Sequence, residues 1–154
     1  MKRMCVLGTG SYLPERIVPN SEVAGPLGIT AATIERLTGI RERRWAAEGQ
    51  ASSDLAIEAS RQALQAAGCG AGDVDAIILS TTSPDMAFPS AACLVQRELG
   101  CRGVAAFDVS ASCSGFLYGL SMADAMIRSG QAVTCLVVAA EVKSRFLDPA
   151  DAAT

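Results

Sequence analysis

The chain has 154 residues, 50% of them hydrophobic, with 14 glycines and a formal net charge of −3. This composition predicts one packed globular domain, and the absence of a basic stripe with interleaved aromatics excludes nucleic acid as a partner. No apolar run approaches the roughly 20 residues that cross a bilayer, and "MKRMCVLGTG" reaches a glycine turn too soon for a signal peptide, so the prediction is a cytoplasmic protein without membrane contact.

In chain order, Met4–Gly10 ("MCVLGTG") reads as a short buried strand ending in turn residues. "GTGSYL" begins like a dinucleotide fingerprint, but Leu13 stands where the third glycine belongs and Pro14 prevents a long helix. Residues 14–51 form a long excursion whose helix is "TAATIERLTG"; within it "RERRW" (Arg41–Trp45) is a basic cluster, readable as a solvated charge run or as a face for an acidic carrier protein or phosphate.

"SSDLAIEASRQALQAAG" starts with serine caps and Asp54, brings Leu55, Ala59, Ala63, Leu64 and Ala67 to one face, and stops at Gly68. Strands follow at Ala76–Thr82, Val104–Val109 and Cys135–Glu141. Between the first two, "FPSAACLVQRELG" reads as a helix with Pro89 in its first turn, Leu94, Val95 and Leu99 inward, and Gly100 at its end. From Phe116 to Ile127 nearly every residue is apolar, which predicts a helix buried on most sides. The order βαβαβαβ gives a parallel sheet with right-handed crossovers, and functional residues belong at the carboxyl ends of its strands.

Cys113 lies just past such an end, in "FDVSASCSGFLYGL". In the first turn of the following helix, free backbone N–H groups and the helix dipole favour a thiolate and an oxyanion on an attacked thioester carbonyl. A lone cysteine is otherwise a small packing residue, and Cys5, Cys69, Cys93, Cys101 and Cys135 keep that reading. With no CxxC and no histidine, neither a metal nor a cofactor is predicted. Asp73, Asp75, Asp148 and Asp151 read as turn or capping carboxylates.

Taken together, "GTGSYLPE", "TGIRER" (Thr38–Arg43), "TTSPDMAFPSAAC" (Thr81–Cys93) and "AFDVSASCSGFLYGLSMAD" (Ala106–Asp124) resemble the amino-terminal half of the β-ketoacyl-acyl-carrier-protein synthase III family, thiolase-fold condensing enzymes. The resemblance implies an α/β, thiolase-like half: a layered sheet with a buried central helix carrying the nucleophile. Residues 1–154 would be an amino-terminal subdomain, incomplete at its carboxyl end, with the carboxyl-terminal half absent and a further strand expected soon after Thr154.

By the same resemblance Cys113 is the catalytic nucleophile, taking an acyl group from a thioester of coenzyme A or acyl carrier protein. A malonyl carrier protein then decarboxylates and its carbanion attacks the acyl-enzyme, in ping-pong order. Phe88 matches a residue that reaches across a homodimer into the partner's acyl pocket. The family's histidine and asparagine have no counterpart here, where Asn20 is the sole asparagine and lies in no such motif; a carboxyl-terminal half or companion chain would supply them.

The family's adenine clamp, a tryptophan and an arginine, falls on Thr33 and Ala152, so both stacking groups are lacking, which weakens adenine binding by roughly 1–3 kcal/mol. The primer would then arrive on a carrier protein or another thioester, or coenzyme A would bind in a different pose. The competing readings are a non-catalytic half that shapes a partner's pocket, and a thiolase-fold acyltransferase that works without decarboxylation.

Overall fold

An apolar run is a strand only where a neighbouring strand takes up its N–H and C=O groups, and that requirement sorts the predicted elements. The computed structural model describes residues 3–148 and 151. These fall into two units, one from the described parts of Leu13–Gln50 and Val142–Thr154, the other from those of Met1–Tyr12 and Ala51–Glu141.

In the first unit, β1 (Arg16–Pro19) pairs antiparallel with β2 (Glu42–Trp45), Arg16 opposite Trp45. The Arg16 guanidinium lies 5.5 Å from the Trp45 ring centroid, a cation–π contact across the ladder. Between the strands come α1 (Asn20–Ala24) and α2 (Ala31–Thr38). Thr30 Oγ1 accepts from the Thr33 amide at 3.2 Å to open α2, and Gly39, at φ 72°, closes it.

Sequence periodicity predicted α2 but neither strand, because four residues are too few to show an apolar alternation. Buried Asn20 joins the pieces: its Nδ2 donates to the Ile40 carbonyl at 2.7 Å, and its Oδ1 accepts from Arg43 at 2.8 Å. Arg44 donates to the Pro14 carbonyl at 3.1 Å. All of the "RERRW" cluster but Arg41 is therefore β2, and Arg43 and Arg44 hold the unit's own backbone and Asn20.

The second unit runs α3 (Ser52–Ala67), β3 (Ala76–Ser80), α4 (Ala91–Leu99), β4 (Ala105–Val109), α5 (Gly115–Ser129) and β5 (Cys135–Ala139). Its sheet has the order β4-β3-β5, all parallel, with Ala76 opposite Ala105 and Cys135, and Ser80 opposite Val109 and Ala139. Every residue of β3 is buried, as its continuous apolar run requires.

Alternation along the strands gives each face a cover. Ile77, Leu79, Leu136 and Val138 pack with Ala56 of α3 and Val95 of α4, whereas Ile78 and Val137 meet α5 at Gly119. α4 begins after the cap Ser90, two residues later than Pro89 suggested. No described helix is long and apolar enough to cross a membrane.

Two predicted features change. Met4–Gly10 forms no strand, and Val6 and Leu7 stand exposed. Among the described residues no strand lies against it; it follows α3 instead, with Gly8 and Gly10 so close that a Cβ on either would stand 2.4 Å from the Ala67 nitrogen or 2.3 Å from the Ala59 carbonyl oxygen. This segment, α3, α5 and β5 enclose a cavity of about 420 Å³. α5, predicted to be buried on most sides, is buried at Gly115, Gly119 and Ala123 while Leu117 and Tyr118 are exposed. A single layer of sheet covers only one face of a helix.

Candidate active site

After β4 the chain passes Ser110 and Ala111, makes a 3-10 turn at Ser112–Ser114 and enters α5 at Gly115. Strand becomes helix within five residues because Ser112 takes the left-handed conformation, φ 49°, which non-glycine residues adopt at a cost. The Ser114 amide donates to the Ala111 carbonyl at 3.1 Å, closing the turn. Cys113 at its centre is exposed.

The turn is seated on β3. A Cβ on Gly115 would lie 1.8 Å from Ser80 Oγ, and one on Gly119 would lie 2.9 Å from Val137 Cγ1. The first turn of α5 thus rests directly on the carboxyl end of the sheet.

Beside it, the segment following β3 is tied into a polar cluster. Glu141, just beyond β5, accepts from the Thr82 amide and the Thr82 hydroxyl, both at 2.8 Å, and from the Ser83 hydroxyl. Ser52 Oγ donates to the Ser83 carbonyl at 2.6 Å, and Asp85 accepts from the Ser53 amide at 3.1 Å and hydroxyl at 2.5 Å. Beyond these anchors Met86 is half exposed and Phe88 is 87% exposed. The segment ends where Asp108 of β4 accepts from the amides of Ala91 and Ala92.

Burial pushes the thiols of Cys101 and Cys135 up, with the Asp75 carboxylate adding a smaller push at Cys135. These two are poor nucleophiles at neutral pH. Asp75 itself is held below the usual carboxylate range by the amides of Thr134 and Val133. Asp73 accepts from the Gly70 amide at 2.8 Å, and both aspartates are turn-capping groups. Among the described residues no three His, Cys, Asp or Glu side chains converge as a metal site.

Cys113 and Phe88 both belong to the larger unit, whereas Thr33 lies in the first turn of α2, bonded to Thr30. Ala152 lies outside the described residues. Sequence reasoning missed Asp108, Glu141 and Asp85. A carboxylate interrupting the apolar run "AAFDV" was a usable signal for Asp108; the other two needed the packed partners.

The profile of 3-oxoacyl-[acyl-carrier-protein] synthase III matches residues 107–154. The chain is 52% identical, over 143 residues, to a β-ketoacyl-[acyl-carrier-protein] synthase III of Laribacter hongkongensis, covering 93% of this chain and 45% of that one. A crystal structure of 3-oxoacyl-[acyl-carrier-protein] synthase III from Aquifex aeolicus superposes with a TM-score of 0.91 at 42% identity, over 96% of this chain and 48% of that one. The priming β-ketosynthase of the R1128 polyketide pathway gives a TM-score of 0.90 at 35% identity, over 98% and 46%. The chain spans about half the length of the curated relatives it matches.

Proposed function

Because the chain belongs to the β-ketoacyl-[acyl-carrier-protein] synthase III family, to whose amino-terminal half it corresponds, we propose that Cys113 is the acyl acceptor of a decarboxylative condensation that starts a fatty acid or polyketide chain. The observation that carries this reading is the exposed Cys113 on a strained turn that opens onto α5. Small neighbours, Ser110, Ala111 and Ser114, leave the sulfur accessible.

In the first half-reaction the thiolate attacks the primer's carbonyl; a C–S bond to Cys113 forms, and the carrier or coenzyme A thiol leaves with a proton. In the second, a malonyl thioester loses carbon dioxide, and its carbanion attacks the acyl-Cys113 carbonyl and expels the thiolate. A histidine and an asparagine from a carboxyl-terminal half or companion chain would serve that step, since this chain has no histidine and commits Asn20 to its own fold. We place this chemistry in the cytoplasm.

Two surfaces support completion by further polypeptide. The open edge of β5 faces the cavity beside Met4–Gly10, and the apolar outer face of α5 is uncovered. Residues 1–154 act as the amino-terminal subdomain of the synthase, and the exposed Phe88 reaches a second copy's acyl pocket in a homodimer. At Thr33, bonded to Thr30, and at Ala152 the adenine-stacking groups are lacking, so an acyl carrier protein rather than coenzyme A is the expected primer donor.

Peptide mapping after incubation with acyl thioesters tests the central claim. The acyl group is expected on Cys113 alone, although Cys5 is also exposed, and Cys113→Ala abolishes it. Acyl transfer to no thiol, or condensation that survives Cys113→Ala, overturns the claim. Native mass spectrometry, compared with the denatured sample, reports whether a companion chain is bound.

A further inference from the structure

The segment that presents Phe88 is anchored at both ends. At its start Glu141 holds Thr82 and Ser83, and Asp85 holds the first turn of α3. At its end the Asp108 carboxylate spans the Ala91 and Ala92 amides at 2.8 Å each, and Ser90 Oγ accepts from the Cys93 amide at 3.3 Å. The opening amides of α4 that lack an acceptor within the helix are thereby filled, and a negative charge meets the favourable end of the helix dipole. The carboxylate that caps the start of α4 sits on β4, the strand that delivers Cys113.

We propose that Asp108 is a positioning residue that ties the Phe88 segment to the strand delivering Cys113, so that one strand sets both the acyl-facing aromatic and the acceptor thiol. The inference rests on the reading of Cys113 as acyl acceptor and Phe88 as an acyl-pocket residue. Asp108 touches no substrate. Its contribution is primer selectivity, because loosening the start of α4 lets Phe88 shift in the second copy's acyl pocket, while this chain's own Cys113 turn stays seated through Gly115 on Ser80.

The experiment uses the assembled synthase, carboxyl-terminal half included, as wild type, Asp108→Asn, Phe88→Ala and the double variant, with primers from acetyl to octanoyl. The readout is the ratio of kcat/KM for long over short primers, beside the alkylation rate of Cys113. Asp108→Asn is expected to change that ratio by about tenfold, the scale of a misfitted pocket wall. The change should match Phe88→Ala in direction, add nothing in the double variant, and leave Cys113 alkylation intact.

A ratio unchanged in Asp108→Asn, a uniform loss across all primers, or additive effects in the double variant would overturn the positioning role. Should Asp108→Asn not fold, Asp108→Glu keeps the carboxylate while displacing the helix start, and the same ratio decides. If no primer acylates Cys113 in wild type, the functional reading falls and this inference with it. If wild type acylates and only the ratio fails to respond, the functional reading stands and Asp108 is merely structural.

Discussion

Gly115 lies against Ser80 with no room for a methyl group: a Cβ there would stand 1.8 Å from Ser80 Oγ and 2.9 Å from its Cβ. Ser80 is buried at the end of β3, so α5 must rise. Gly115→Ala is expected to lower stability by about 1–3 kcal/mol, the usual cost of overpacking, and to slow alkylation of Cys113. Gly119→Ala meets Val137 Cγ1 at 2.9 Å and should cost less. Urea midpoints and thiol kinetics measured side by side check both; equal costs would mean that the sheet yields at Ser80.

Ser112 gives a second handle on the same turn. Its φ of 49° suits glycine, so Ser112→Gly should be neutral or stabilising, whereas Ser112→Val should lose about 1–3 kcal/mol to backbone strain. Thermal unfolding of the two variants provides the comparison. A stable valine variant would show that the turn adopts another conformation in solution.

The Glu141 cluster predicts a difference between two substitutions at one site. Glu141→Ala strips an acceptor from the Thr82 amide and from the buried Ser83 hydroxyl, which keeps Ser52 Oγ at 3.2 Å, and should cost about 1–3 kcal/mol in all. Glu141→Gln keeps one carbonyl acceptor and should lose less. Denaturant titration of both variants measures the gap, and equal stability would assign the loop's order to Ser52 and Asp85 instead.

How far these residues were legible in sequence follows from the range of the interactions they use. β3 and β5 announced themselves as unbroken apolar runs and β4 as a run that only Asp108 interrupts, and Gly68 and Gly100 end helices by local backbone conformation. Cys113 was legible because strand, small residues and helix are adjacent in the chain.

Met4–Gly10 misled because its apolarity reports what it packs against, and the segment faces a cavity here rather than a strand. β1 and β2 were illegible because their pairing rests on Asn20, Arg43 and a cross-strand Arg16–Trp45 contact, none of which makes a period. Asp108 and Glu141 bond across 16 to 59 residues, a separation at which local pattern carries no information.

Asp75 supplies a pH test that is independent of catalysis. The Val133 and Thr134 amides donate to its carboxylate at 2.7 and 3.0 Å and hold its pKa below the ordinary aspartate value. With the folded value depressed, the unfolded chain binds the proton first. The stabilisation is thus complete above the unfolded aspartate range, about pH 4, and is lost as pH falls through the lower folded value. Asp75→Asn should therefore melt below wild type at neutral pH, and the difference should shrink as the pH is lowered past 4. Because Asp75 is exposed, the effect is modest and screened by salt. Thermal melts from neutral to acid pH check it: a gap independent of pH would mean that the carboxylate's charge is not what holds the turn leading into β5, and that the neutral amide fails for reasons of shape alone.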